Sequence, residues 1–177
     1  MRGPYQILLP LLSLFLVRVD LTDLFPLTFN VEILKVYDGD TLLVGKGSFQ
    51  QKLRITPIDS PEKGQPLIGS RGDAGEFSQR CLQRLLQRQG MLTLKGHDIY
   101  GRMLGDIDRV SLKLIQEGCT TLYPHASFES RKEKWDYLRA LMQARRERRG
   151  LWALGGFEQP RAWRKKQRFS RRVARRR

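Results

Sequence analysis

Residues 36–62, VYDGDTLLVGKGSFQQKLRITPIDSPE, constrain this chain more than any other stretch. Short apolar runs there are broken by Gly45-Lys46-Gly47, a pattern of strand, turn and strand. Among the apolar residues sit Asp38, Asp40, Asp59 and Glu62, with Arg54 between them. Acids are scarce in the whole chain, 18 Asp and Glu against 33 Lys and Arg, so a knot of them beside an arginine is informative. Hard cations such as Ca²⁺ or Mg²⁺ prefer oxygen ligands of this kind. A carboxylate left off the metal can serve as a general base. The stretch therefore points to metal-assisted chemistry on a phosphate ester.

At 177 residues the chain has room for one ordinary core. Its net charge of +15 calls for a polyanionic partner, nucleic acid or an anionic membrane surface. Ten Lys or Arg and no acid fall in residues 161–177, RAWRKKQRFSRRVARRR, with Trp163 and Phe169 interleaved. Such a tail can hold a phosphate backbone while its aromatics stack on bases. Attraction to anionic lipid and a passive solvated end are the other two readings. Cys81 and Cys119 form neither a disulfide framework nor a metal cluster. Two small buried residues are expected there, with one disulfide as the option for an exported protein. His97 and His125 have no cysteine beside them, which argues against zinc.

The first 19 residues, MRGPYQILLPLLSLFLVRV, carry Arg2 ahead of an apolar run that is short for a bilayer span but suits a signal core. No small-residue cleavage site follows. Export or membrane association is expected, whether secreted, periplasmic or anchored, and a cytoplasmic location if this segment is no signal. The expected organisation is a signal or anchor at 1–24, one domain at 27–156 and a basic tail at 157–177.

Strand patterns recur at 31–36, 41–44, 49–58, 91–95 and 103–107. Asp73 with Glu76 three residues on predicts a helix start, Ala74, Phe77, Cys81, Leu82, Leu85 and Leu86 its apolar stripe, and Gly90 its stop. A short second helix is predicted over 111–116. A third begins near Ser130, turns Trp135, Leu138, Leu141 and Met142 inward, and ends at Gly150. Leu151-Trp152 then anchors the chain, and Gly155-Gly156 is a hinge-like break. Five short strands with interposed helices fit a β-rich α+β fold, a five-stranded Greek-key barrel of the oligonucleotide-binding type with three packed helices.

Three blocks in order, Asp38-Gly39-Asp40-Thr41, Arg54 through Asp59-Ser60-Pro61-Glu62, and Tyr100-Gly101-Arg102, resemble the staphylococcal (micrococcal) nuclease family, over about residues 29–152. The spacings from Asp40 to Arg54 and from Arg54 to Asp59 agree with that family, as do Gly118 and Gly150-Leu151-Trp152. The resemblance implies the same oligonucleotide-binding barrel and Ca²⁺-dependent hydrolysis of DNA and RNA, leaving 3′-phosphate ends. It implies Asp40 and Asp59 as carboxylate ligands of Ca²⁺ and the carbonyl of Ser60 as a further one. Glu62 would activate the attacking water, Arg54 and Arg102 would clamp the phosphate, and Tyr100 would line the site and contact substrate. Asp38 would support from behind. Residues 63–72, KGQPLIGSRG, occupy the place of a loop bordering the family's active site, or are a plain surface connection. A monomer is expected. The rival reading is a non-catalytic barrel that binds nucleic acid or a modified peptide, but such members lose site residues that are all present here.

One geometric demand follows. Arg54 and Asp59 are five apart, so strict strand alternation would send them to opposite faces. The chain must bulge or turn between them, and Pro57, which cannot donate to a ladder, marks the place.

Overall fold

The computed structural model describes residues 27–175. The signal or anchor expected at 1–24 lies outside them, as do Arg176 and Arg177 at the end of the basic stretch. No helix among the described residues is long and apolar enough to cross a membrane.

Five strands close into a barrel: β1 (Leu27–Val36), β2 (Thr41–Lys46), β3 (Phe49–Ile55), β5 (Gln89–His97) and β6 (Met103–Ile107), in the spatial order β1-β2-β3-β6-β5. All neighbours are antiparallel except β3 and β6, which run parallel. Alternation fills the interior. Leu42 and Val44 on β2 point in with Leu53 and Ile55 on β3, and Leu42 lies opposite Leu53 in register. Register shifts at Ile33/Lys35 in β1 and Leu94/Gly96 in β5 add the local bend that closure requires. Two further short strands, β4 (Ile58–Asp59) and β7 (Thr121–Leu122), pair with each other beside the barrel.

The stretch 49–58 is thus two strands and not one. The chain leaves β3 after Ile55, turns through Thr56-Pro57 and re-enters as β4. That turn meets the geometric demand between Arg54 and Asp59.

Four helices accompany the barrel: α1 (Ala74–Leu85), α2 (Val110–Gln116), α3 (Arg131–Arg146) and α4 (Pro160–Ala174). Asp73 caps α1 by accepting from the amides of Gly75 and Glu76, and Ser130 caps α3 through the amide of Glu133. The first helix stops at Leu85, short of Gly90, which lies in β5. The third stops at Arg146, and Gly150 opens a separate 3₁₀ turn, Gly150–Trp152, that buries Leu151 as the expected anchor. Within α3 the buried stripe is Tyr137, Ala140, Leu141 and Ala144. Trp135 and Met142 face outward at 63% and 68% exposure, against expectation. The stripe is set by Tyr137, whose hydroxyl meets Ser111 of α2, itself bonded to buried Asp106. That polar anchor rotates the two large apolar residues away from the core.

The fourth helix was not among the three expected, because ten cations without an apolar stripe give no helical period to read. The two cysteines are buried, as expected, and are bonded to each other: Cys81 on α1 to Cys119 just after α2. The bond spans a sequence separation of 38 residues.

Candidate active site

Sheet register assembles the site at one end of the barrel. Thr41 at the start of β2 pairs with Arg54 near the end of β3, so Asp40 lies beside Arg54 although it stands fourteen positions earlier in the chain. The inward turn of Leu53 and Ile55 leaves Arg54 pointing off the barrel's surface. Its Nη1 donates to Asp40 Oδ1 at 2.7 Å and its Nη2 to Asp59 Oδ1 at 3.0 Å. The backbone amide of Ser60 donates to Asp40 Oδ2 at 2.9 Å, which locks the two acidic segments together. Asp38 accepts from the amide of Asp40 at 3.0 Å.

Behind Asp59, Thr120 Oγ1 donates to the Asp59 carbonyl at 3.0 Å and shares a hydrogen bond with Ser60 Oγ. The disulfide fixes the residue next to Thr120. Gly39 sits so close to α1 that a Cβ there would lie 2.0 Å from Ser78 Oγ and 2.8 Å from Ser60 Cβ. The glycine of the DGD block is therefore what lets both aspartates pack against this helix. Gly75 does the same for Glu62, whose carbonyl would be 2.2 Å from a Cβ there.

Glu62 is partly exposed, on the loop after β4. Buried Gln65 sets its backbone: Glu62 N donates to Gln65 Oε1 at 3.1 Å, and Gln65 Nε2 donates to the Glu158 carbonyl at 2.5 Å. Residues 63–72 are pinned by Gly64 N on Asp73 at 2.6 Å, by Ile68 N on the Gly156 carbonyl at 2.9 Å, and by Leu67 against Phe157. The Gly155-Gly156 break expected as a hinge is a tight turn held by this contact, both residues having positive φ.

Arg102 comes from the turn leading into β6, the neighbour of β3, at the same barrel end. Because β3 and β6 are parallel, with Leu53 against Met103, the residue before Met103 arrives beside the end of β3. Its guanidinium is aimed by Asp98, which accepts from Nε at 2.8 Å and from Nη2 at 2.7 Å. Burial would raise Asp98, but the amides of Arg102 and Tyr100 and the Arg102 guanidinium donate to it and hold that carboxyl below the usual range. Tyr100 stands at the lip, 78% exposed, with the Arg102 guanidinium 5.7 Å from its ring centre.

These groups open onto a cavity of about 660 Å³ lined by Arg54, Glu62, Tyr100, Arg102, Arg164 and Arg168 among others. Asp40 and Asp59 lie beneath its floor at 3% and 1% exposure. Arg164, on α4, reaches in from outside. Its Nη1 donates to Glu62 Oε1 at 2.7 Å and its Nη2 bonds both oxygens of Asp59, at 3.1 and 3.0 Å.

Electrostatics show what this arrangement wants. Burial pushes Asp40 up to about 7, against the pull of Arg54, with Asp38 adding to the rise. The donors at hand are all hard oxygens, the ligand type of Ca²⁺ or Mg²⁺ and not of zinc. No group of three or more His, Cys, Asp or Glu placed to hold a metal occurs among the described residues. A cation here would have two carboxylates and would complete its shell with carbonyl, water or phosphate oxygen. On that chemistry the residues fit a hard divalent ion.

The sequence blocks thus converge: Asp40, Arg54, Asp59, Ser60 and Glu62 meet at one barrel end, and Arg102 and Tyr100 line the same cavity. Sequence reasoning missed Asp98 and Arg164. The first had a readable signal, an acid four residues before Arg102 across a Tyr-Gly turn. Arg164 had none, being one cation among ten.

Comparison with known proteins agrees with this geometry. The model of the staphylococcal nuclease homologue family matches residues 52–154, which takes in Arg54, Asp59, Ser60, Glu62 and Arg102 and stops before α4. The chain is 28% identical over 150 residues to the micrococcal nuclease of Shigella flexneri, across 77% of this chain and 81% of that protein. It is 30% identical over 144 residues to an uncharacterized endonuclease of Haemophilus influenzae, across 78% and 74%. To the thermonuclease of Staphylococcus hyicus it is 27% identical over 131 residues, across 69% and 75%. A closed five-stranded barrel, acids and arginines gathered at one end of it, and a family match over more than half its length lead to one conclusion: this chain belongs to the staphylococcal nuclease homologue family.

Proposed function

We propose that the chain hydrolyses phosphodiester bonds in DNA, RNA or both, with Ca²⁺ as cofactor, and leaves 3′-phosphate ends. Family membership and nuclease-named relatives support hydrolysis of nucleic acid. The observation that carries the finer reading is the buried Asp40–Arg54–Asp59 knot opening, with Glu62, onto an arginine-lined cavity.

Asp40 and Asp59 would hold the Ca²⁺, with the Ser60 carbonyl as a third ligand. When bound, the ion would act as a Lewis acid on a phosphate oxygen and balance the buried carboxylates. Glu62 sits at the cavity wall, where it would take a proton from the attacking water; a positioned base of this kind is worth roughly 10²–10⁴ in rate. Arg54 uses two of its donors on the aspartates and keeps the others for equatorial phosphate oxygens. Arg102, which lines the cavity, is held by Asp98 through Nε and Nη2, which leaves its second terminal nitrogen to donate to a phosphate oxygen. Two guanidiniums from neighbouring strands would then face the charge that builds on the phosphate. Tyr100 at the lip would contact the adjoining nucleotide.

The Cys81–Cys119 bond supports an oxidising compartment, in keeping with export directed by the N-terminal segment. We place membrane association and a monomeric state in the same proposal.

Digestion of plasmid and RNA with Ca²⁺, with chelator and with Glu62→Gln tests this reading. Expected are cleavage in Ca²⁺, none in chelator, and a loss of about 10²–10⁴ in the variant. A purified chain that binds nucleic acid yet never cuts it would favour the non-catalytic barrel.

A further inference from the structure

The family match ends at residue 154, but the cavity does not end with it. Its outer side is α4, which carries Arg161, Arg164, Lys165, Lys166, Arg168, Arg171 and Arg172 and no acid. Like charges three and four apart repel along a helix, and nothing on α4 itself relieves them. The helix is nonetheless held against the body. Pro160 is buried at its start, Arg161 contacts His125, Lys166 bonds Glu158 at 2.8 Å, and Arg164 bonds Asp59 and Glu62.

The charges are not spread evenly around the site. Arg161, Arg164, Arg168 and Arg171 follow the three- and four-residue spacing of a single helix face. The first three line the cavity that Arg54 and Arg102 line from the barrel side. Arg168 and Arg171 continue into an adjoining depression that also has Tyr100 from the barrel and Trp163 from α4. A row of four arginines on α4 therefore faces Arg54 and Arg102 across one groove, whose lining also holds Glu62 and Asp98, with an aromatic on each bank. A row of arginines at helical spacing suits the repeating charge of a phosphate backbone. Aromatics at the groove suit bases whose faces are free, which only an unpaired strand presents.

We infer that α4 is the second wall of a groove for a single strand of nucleic acid. Phosphates run along the Arg161–Arg164–Arg168–Arg171 face, and bases stack on Tyr100 and Trp163. Arg164 joins this wall to the acids of the barrel end and exchanges Asp59 and Glu62 for phosphate when a strand enters. The inference rests on the nucleic-acid reading of the site, which it extends to a segment beyond the residues that the family model matches. Anionic lipid fits the position less well, because this face looks into a groove and a membrane needs an outward plane.

The test uses the full chain in chelator, so that a strand stays intact, and measures anisotropy of a labelled oligothymidylate across a salt series. For single strands each phosphate contact contributes about 0.7 to the slope of log affinity against log salt. Arg168→Gln with Arg171→Gln should lower the slope by about 1.4 and weaken low-salt binding roughly tenfold. Arg168→Lys with Arg171→Lys should keep the slope, and both pairs should melt like the parent chain because the two side chains are exposed. An unchanged slope in the glutamine pair, or no oligonucleotide binding by the parent chain, overturns the inference. Loss of binding to phosphatidylserine vesicles with an unchanged oligonucleotide slope overturns it in favour of lipid. Hydrolysis is not read in these titrations. A chain that binds through α4 but never cuts leaves this inference standing and removes the nuclease reading; one that cuts with its slope unmoved does the reverse.

Discussion

Arg54 and Arg164 both bond Asp59, and they reach it from regions built in different ways. Arg54 stands on a barrel strand, fixed by register opposite Thr41 and by inward packing of Leu53 and Ile55 on either side. Arg164 stands on a surface helix whose own residues are mostly exposed, beyond the residues that the family model matches. Burial is the physical difference. On the barrel side a guanidinium lies between two carboxylates removed from water, so losing it leaves buried charge unpaired. On the helix side one partner, Glu62, is partly in water, and the other, the buried Asp59, keeps Arg54 if Arg164 leaves. The barrel end is thus a fixed site, and α4 is an exchangeable one laid over it.

The largest effect that would break this contrast is expected from Arg54→Gln. Turnover of nucleic acid should fall by about 10²–10³. Stability in chelator should fall by about 2–4 kcal/mol, as for a broken buried pair whose guanidinium keeps one solvated edge. Initial rates and urea melts measure both, and unaltered melts would show that the knot is not part of the structural core.

Next comes the covalent support behind Asp59. Removing the disulfide with Cys81→Ala and Cys119→Ala should cost about 2–4 kcal/mol, seen as an earlier urea midpoint, while turnover at room temperature stays near that of the parent. Reductant should do the same to the parent chain. A sharp loss of turnover without a loss of stability would mean that the bond shapes the site itself.

The smallest structural effect belongs to the helix side. Arg164→Gln should cost less stability than Arg54→Gln, about 1–2 kcal/mol, because Arg54 still pairs the buried Asp59 and the Glu62 contact is open to water. It should also let Ca²⁺ bind several-fold more tightly, because a guanidinium no longer competes for Asp59 and Glu62. Calcium titration of the melting temperature reads this directly. Weaker Ca²⁺ binding in the variant would mean that Arg164 supports the metal site and is not exchanged from it.

Legibility in the sequence followed the same division. Asp40, Arg54, Asp59, Ser60, Glu62, Tyr100 and Arg102 lie in three short blocks whose spacing belongs to strand ends, and the barrel brings them together as those blocks imply. Even the turn at Thr56-Pro57 was foreseeable, since two residues five apart cannot share a face of one strand. Where reading failed, packing overrode local pattern. Trp135 and Met142 fit an apolar helix stripe, yet the hydrogen bond of Tyr137 to Ser111 turned α3 another way. Cys81 and Cys119 left a disulfide only as an option, and the packing of α1 beside the end of α2 made it a bond.

The sequence by itself determined the identities and spacing of the site's acids and arginines, the capped starts of α1 and α3, and the excess of positive charge. These are local matters, decided by residue type and by distances along the chain. Tertiary structure alone decided that Asp98 aims Arg102, that Gly39 and Gly75 admit close packing at the site, and that Arg164 among ten cations reaches Asp59 and Glu62. Those outcomes depend on distances through space between segments up to 105 residues apart, and no run of neighbouring residues encodes them.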